Sequence, residues 1–113
     1  MTNLLKAEKI INFPNDVSYK AKMSLDTIMG IESALGTSIL KIANKLSAGE
    51  LSLMEIITIM TLSLRAGGND VKDADIKKLV SDLGLIESIK VTGDLLTLAL
   101  DTGEKQDEKK SES

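Results

Sequence analysis

Hydrophobic and polar residues alternate near the start of this chain with the period of two that marks a half-buried strand. Four apolar residues carry the alternation: Val17, Tyr19, Ala21 and Met23. The residues before Pro14 keep the same parity, apart from Lys9. Proline followed by Asn and Asp is typical of a turn. The pattern therefore predicts a β-hairpin over residues 5–23.

After the hairpin, apolar residues recur three and four positions apart, which is typical of amphipathic helices. Ser, Thr or Asp precedes most of these segments and Gly follows most of them, as expected of helix caps. The pattern predicts helices over about residues 25–35, 38–47, 53–66, 74–83 and 86–100. Thr92-Gly93 interrupts the last helix, so we expect that helix to bend or to start late.

The segment over residues 53–66 is apolar on almost every side. Ser52 and Glu55 have the S-x-x-E spacing of a capping box, and Gly67-Gly68 can adopt the left-handed backbone that ends a helix. One face should form the core: Leu53, Ile56, Ile57, Met60 and Leu64. A second apolar group consists of Met54, Ile59 and Leu62. This group is either covered by the last helix or open to a partner.

These elements predict an α+β fold that is mostly α, with an N-terminal β-hairpin packed on a bundle of four to five short helices. An isolated hairpin is marginal in water, so one of its faces should contact the helices. The elements form one domain over residues 1–100. Residues 101–113, DTGEKQDEKKSES, contain no apolar side chain and are predicted to be a disordered charged tail.

Composition narrows the chemistry. The 113 residues carry a net charge of −3 and include no Cys and no His, which argues against nucleic-acid binding, disulfides, thiol chemistry and most zinc sites. No apolar run approaches the roughly 20 residues that span a bilayer, and the N-terminus lacks a signal-peptide core. We expect a cytoplasmic protein with no membrane segment, no cofactor, no metal and no enzymatic activity. The acids near Asp73 do not fit a calcium loop, because Lys77 occupies its fifth position.

Three segments occur in a fixed order along the chain: Ile31–Gly36 (IESALG), Ala48–Ser52 (AGELS) and Leu64–Val71 (LRAGGNDV). With the strand pair before them, they resemble the small proteins encoded in gene transfer agents and related siphophage-like prophages, over roughly residues 8–100. The hairpin turn departs from that pattern. The family often uses a two-residue Asp-Gly-type turn, whereas this chain has Pro14-Asn15-Asp16.

The resemblance implies a tail assembly chaperone, although some descriptions call the family tail tube proteins. Such a chaperone would bind the tape measure protein during tail morphogenesis in the bacterial host cell, and it would meet other tail proteins there. Helix recognition requires an exposed apolar surface. The candidate partner-binding residues are Met54, Ile59, Leu62 and Arg65.

Two other functions compete with the chaperone. A structural tail subunit, either a tube or a connector component, would stay in the particle. The predicted strands lie only in the first fifth of the chain, which favours the chaperone over a ring-forming subunit. The other alternative is a small acidic enzyme or a carrier domain. A carrier would need a modifiable Ser at a helix start of Asp-Ser-Leu type, which the chain lacks. Homo-oligomerisation remains open.

Overall fold

The chain folds as an N-terminal hairpin followed by five helices. The computed structural model describes the backbone of residues 8–112 and the side chains of residues 8–101. The elements are β1 (Glu8–Phe13), β2 (Val17–Lys22), α1 (Leu25–Leu35), α2 (Ile39–Ser47), α3 (Leu53–Ala66), α4 (Asp73–Leu83) and α5 (Leu85–Glu112). The α+β class and the order of hairpin and helices predicted from the sequence are confirmed.

The hairpin is antiparallel, with Phe13 opposite Val17 at the turn. Asn15 and Asp16 both have positive φ, at 66° and 61°, a region in which Asn and Asp are enriched among non-glycine residues. The turn therefore consists of three residues, Pro14, Asn15 and Asp16, and not of the two-residue turn described above for the family that the sequence resembles. On the inner face, the rings of Phe13 and Tyr19 meet edge to face with centroids 5.8 Å apart. This face packs on α3 and α4.

Helix α3 lies at the centre of the molecule, because it contacts β2, α1, α4 and α5. Its predicted capping box is present: Ser52 Oγ accepts the N–H of Glu55 at 3.1 Å, and Glu55 Oε1 accepts the N–H of Ser52 at 2.8 Å. Ser24 and Ser38 cap α1 and α2 in the same way with their hydroxyls. Helix α4 differs, since Lys72 is its N-cap residue and Asp73 is already helical.

The segment after α3 forms a tight corner against the hairpin. Of the two glycines expected to permit a left-handed backbone, Gly68 has a positive φ of 99°, whereas Gly67 has a right-handed helical backbone with φ of −77°. Gly67 is instead required by space, because a Cβ there would lie 2.6 Å from the carbonyl carbon of Lys20. The Asn69 amide donates to the carbonyl oxygens of Lys20 and Leu64 at 2.7 and 2.9 Å. The corner joins the hairpin to the central helix.

Helix α5 begins at Leu85 and continues through Gly93, so the expectation that it starts late is wrong. A Cβ on Gly93 would lie 3.4 Å from Cδ2 of Leu46 in α2. The Ser88 hydroxyl donates to the carbonyl oxygen of Gly84, just before α5, and the Thr92 hydroxyl donates to that of Ser88. The small side chains therefore permit close packing. The backbone of α5 is helical to Glu112, so the helix continues past its predicted end at residue 100 into the segment predicted to be a disordered tail. The side chains after Asp101 lie outside the described residues.

Candidate partner-binding groove

A shallow groove runs along the surface of α3, between α1 and the first half of α4. It encloses about 490 Å³. We call it the α3 groove. Its lining consists of Ala34, Leu53, Met54, Ile57, Thr58, Thr61, Leu62, Arg65, Asp73 and Lys77. Most of these residues come from α3, so one helix provides the floor and its two neighbours provide the walls.

The floor of the α3 groove is largely apolar. The Met54 side chain is 76% exposed and Leu53 is 50% exposed, while Ile57 and Leu62 are half-buried and pack against the core. Threonine hydroxyls do not interrupt this surface, because each is bonded within the helix. For example, the Thr61 hydroxyl donates to the carbonyl oxygen of Ile57 at 2.7 Å.

Three charged side chains also line the groove. Arg65, Asp73 and Lys77 are exposed, and Arg65 lies about 18 Å along α3 from Leu53 at the helical rise of 1.5 Å per residue. The Nε of Arg65 donates to the carbonyl oxygen of Val71 at 2.9 Å, which holds this side chain beside the corner. Arg65 thus brings a charge to the end of α3 that lies opposite the exposed Leu53 and Met54.

Three of the four predicted partner-binding residues, Met54, Leu62 and Arg65, line the α3 groove. The fourth, Ile59, is 0% exposed and belongs to the core, so the prediction that it lies on a partner surface is wrong. At about 100° per residue, Ile59 lies about 140° around the helix from Met54 and only about 60° from the buried Ile56. Met54 and Ile59 therefore never shared a face.

Two residues predicted to be core also line the α3 groove. Leu53 is 50% exposed there, so the prediction that it is core is wrong. Ile57 packs on the core as predicted, and its remaining surface lines the groove. A signal for this stripe was present in the sequence. Counting from Met54, positions i+3, i+4, i+7 and i+11 all line the groove: Ile57, Thr58, Thr61 and Arg65. A pattern of apolar residues alone does not predict this stripe, because Thr58 and Thr61 belong to it and threonine counts as polar.

An ion pair joins α3 to α2. Lys45 Nζ donates to Glu55 Oε2 at 2.5 Å. That hydrogen bond from Lys45, together with the one from the Ser52 backbone N–H, lowers the pKa of the Glu55 carboxyl below its ordinary value. The carboxylate is thereby fully committed to helix capping and to Lys45, so its role here is structural.

The described part of the chain has no cluster of three or more His, Cys, Asp or Glu side chains arranged to hold a metal ion. Over the same residues, no helix combines the length and the hydropathy that crossing a bilayer requires. The α3 groove is an apolar surface of a kind that contacts other macromolecules.

A family model described as phage tail tube protein, GTA-gp10, matches residues 11–102. The match begins in β1, includes α1 to α4, and extends into α5. No curated protein and no solved structure matches the chain.

Proposed function

The chain belongs to the family described as phage tail tube protein, GTA-gp10, and we propose that it is a tail assembly chaperone that binds the tape measure protein during tail morphogenesis. As a member of a phage tail family it acts among other tail proteins. The chaperone role means transient binding in the cytoplasm of the bacterial host cell, with no catalysis and no cofactor.

The observation that carries this proposal is the α3 groove. An amphipathic helix can lay its apolar face into such a groove, and the distance of about 18 Å from Leu53 to Arg65 accommodates roughly three helical turns. Among the residues that the structure describes, Met54 is the most exposed of the large apolar ones, at 76%. Flexible methionine suits a surface that meets varied sequences, as a chaperone for a long protein must.

A structural tail subunit is the second candidate, and two observations favour it. The family description names a tube protein. In addition, the sheet formed by the described residues has only two strands, so each strand keeps one edge available for pairing with another chain. A tube or connector component would use those edges and would stay in the particle.

Co-expression with the tape measure protein of the same gene cluster tests the first candidate. Size-exclusion chromatography should show a soluble complex, and purified particles should lack this chain. Met54→Asp should abolish the complex. Met29→Asp is the matched control, because Met29 is 63% exposed on α1 and lies outside the groove lining. Absence of a complex, with this chain present in particles at fixed copy number, would establish the structural subunit instead.

A further inference from the structure

The two strands of the hairpin have unequal outer edges. In an antiparallel pair, residues that exchange hydrogen bonds with the other strand alternate with residues whose N–H and C=O point away from it. The carbonyl oxygen of Lys20 accepts the Asn69 amide at 2.7 Å, so it points away from β1. Lys20 lies opposite Ile10. The backbone N–H and C=O of Ile10 therefore point away from β2, at the outer edge of β1.

Alternation along β1 gives three residues this orientation: Glu8, Ile10 and Asn12. In the described part of the chain, no backbone group from outside the hairpin is hydrogen-bonded to them. The outer edge of β2 is less open, because Asn69 occupies the Lys20 carbonyl and Gly67 packs against it. The edge of β1 is thus the one to which a further strand adds most readily.

We propose that β1 of one copy pairs antiparallel with β1 of a second copy, about a two-fold axis at Ile10. The two hairpins then form one four-stranded sheet with the order β2, β1, β1, β2. The same edge of each copy makes the contact, so the interface is closed and the product is a dimer.

The spacing of the outward-pointing residues selects this axis. With the axis at Ile10, Ile10 lies opposite its own copy and Glu8 lies opposite Asn12 of the second copy, so every outward residue of β1 gains a hydrogen-bonded partner. An axis at Lys9 leaves Asn12 without a partner in β1 and sets two lysines opposite each other, which is unfavourable. An axis at Ile11 leaves Glu8 without a partner in β1.

The side chains are compatible with the same register. Ile10 is 57% exposed, and across the axis it meets its own copy, which removes apolar surface of both chains from water. Glu8 already lies 3.8 Å from Lys20 of its own hairpin, and it meets the neutral Asn12 of the second copy. The outer face of the new sheet therefore sets no like charges directly opposite each other across the axis.

A second copy matches this edge better than the other segments of the same chain. The sheet formed by the described residues has two strands, and the elements after them are helices. Pairing β1 with β2 of the next copy would build an open array, but the corner at Lys20 obstructs that edge. The β1 edge of a second copy carries the same unpaired groups, so one contact satisfies both.

The dimer does not depend on the chaperone role. No residue of β1 lines the α3 groove, so self-pairing and binding of the tape measure protein use different surfaces. A monomer that binds the tape measure protein would overturn only the dimer, and a dimer that fails to bind it would overturn only the chaperone.

Amide hydrogen exchange followed by NMR, with light scattering on the same samples, tests the pairing on the unmodified full-length chain. As the concentration rises to millimolar, the mass should double and exchange at the amides of Ile10 and Asn12 should slow. The amides of Lys9 and Ile11 point toward β2 and should not change. A chain that stays monomeric at millimolar concentration would overturn the proposal, as would a dimer in which exchange at Ile10 is unaltered.

Charge exchange at the axis tests the symmetry. Ile10→Lys and Ile10→Glu each place two like charges across the axis, so each variant should stay monomeric, whereas an equal mixture should recover a dimer with one chain of each kind. Met29→Lys is the matched control, since Met29 is 63% exposed on α1, and it should dimerise like the unmodified chain.

Circular dichroism should show these variants folded, because each altered side chain is mostly exposed. Folded variants whose mixture stays monomeric would rule out an axis at Ile10, and so would an Ile10→Lys protein that dimerises alone. If either substitution at Ile10 unfolds the chain, the exchange pattern of the unmodified protein decides the question by itself.

Discussion

Gly67 lies so close to Lys20 that a β-carbon on this glycine would stand 2.6 Å from the carbonyl carbon of Lys20 and would overlap its oxygen. The obstruction is backbone, which cannot rotate away as a flexible side chain could. Gly67 itself has an ordinary helical φ of −77°. The absence of a side chain at this position therefore sets the distance between α3 and β2.

Gly67→Ala should destabilise the fold by about 1–3 kcal/mol or more, the usual cost of forcing extra atoms into a packed site. The helix and the hairpin must separate to admit the methyl group. Chemical denaturation followed by circular dichroism measures the free energy of unfolding. The matched control is Gly30→Ala in α1, where a Cβ would meet nothing within 4 Å.

Gly30→Ala should be neutral or should stabilise the chain by up to about 1 kcal/mol, because alanine favours a helix interior over glycine. Equal effects of the two substitutions would contradict the close approach of α3 to β2.

Asn69 fixes the same corner with hydrogen bonds. Its amide nitrogen donates to the carbonyl oxygens of Lys20 at 2.7 Å and Leu64 at 2.9 Å. Asn69→Asp keeps the size of the side chain and removes the donor, so it should lower the free energy of unfolding by about 1–3 kcal/mol. Denaturation at pH 7 measures it. Asn44→Ala, at an exposed position of α2, should change stability by less than about 0.5 kcal/mol.

The corner explains what the sequence could and could not predict. The run Leu64–Val71 was recognised as a pattern because its residue types are unusual together, and the helix stop was visible in its glycines. The reason for Gly67 was not visible, because it depends on Lys20, which lies far away along the chain. The periodicity of apolar residues predicts which residues share a face of one helix. It does not predict which other segment, here the backbone of β2 at Lys20, will pack against that face.

The α3 groove also could not be located from the sequence alone. The apolar pattern showed that α3 has apolar residues on more than one face. It could not decide which residues the neighbouring helices would leave uncovered. Ile59 became core and Leu53 became surface because α3 is contacted by the hairpin and by three helices. The positions of those neighbours depend on the tertiary structure, and the spacing of residues within α3 does not predict them.

The Glu55 carboxyl should make the free energy of unfolding depend on pH in the acidic range. Because Lys45 and the Ser52 N–H lower the pKa of this carboxyl below its ordinary value of 4.5 in the folded chain, folding favours the charged form. The stabilisation is complete above pH 4.5 and is lost as the pH falls through the lowered folded-state pKa. Glu55→Gln should therefore be less stable than the unmodified chain at pH 7, and the difference should shrink below pH 4.5.

Unfolding curves at several pH values between 7 and 3 measure this difference. Lys45→Ala provides the second comparison, because it removes the largest cause of the lowered pKa while Ser52 still caps α3. The stability of Lys45→Ala should vary less with acid than that of the unmodified chain. A gap between Glu55→Gln and the unmodified chain that stays constant down to pH 3 would rule out the role of this ion pair.

Met54 and Ile59 are five positions apart on one helix and should separate binding from folding. Ile59 is 0% exposed, so Ile59→Ala should cost about 2–5 kcal/mol of stability through the cavity it leaves. Met54 is 76% exposed, so Met54→Asp should leave the unfolding midpoint almost unchanged and remove binding to the tape measure protein. Leu62→Asp should lower the stability and also weaken binding to the tape measure protein, because Leu62 lines the groove and packs on the core. Thermal unfolding measures the stability, and pull-down of the co-expressed tape measure protein measures binding. A Met54→Asp protein with a clearly lowered unfolding midpoint would place Met54 in the core and would contradict the assignment of the groove as a binding surface.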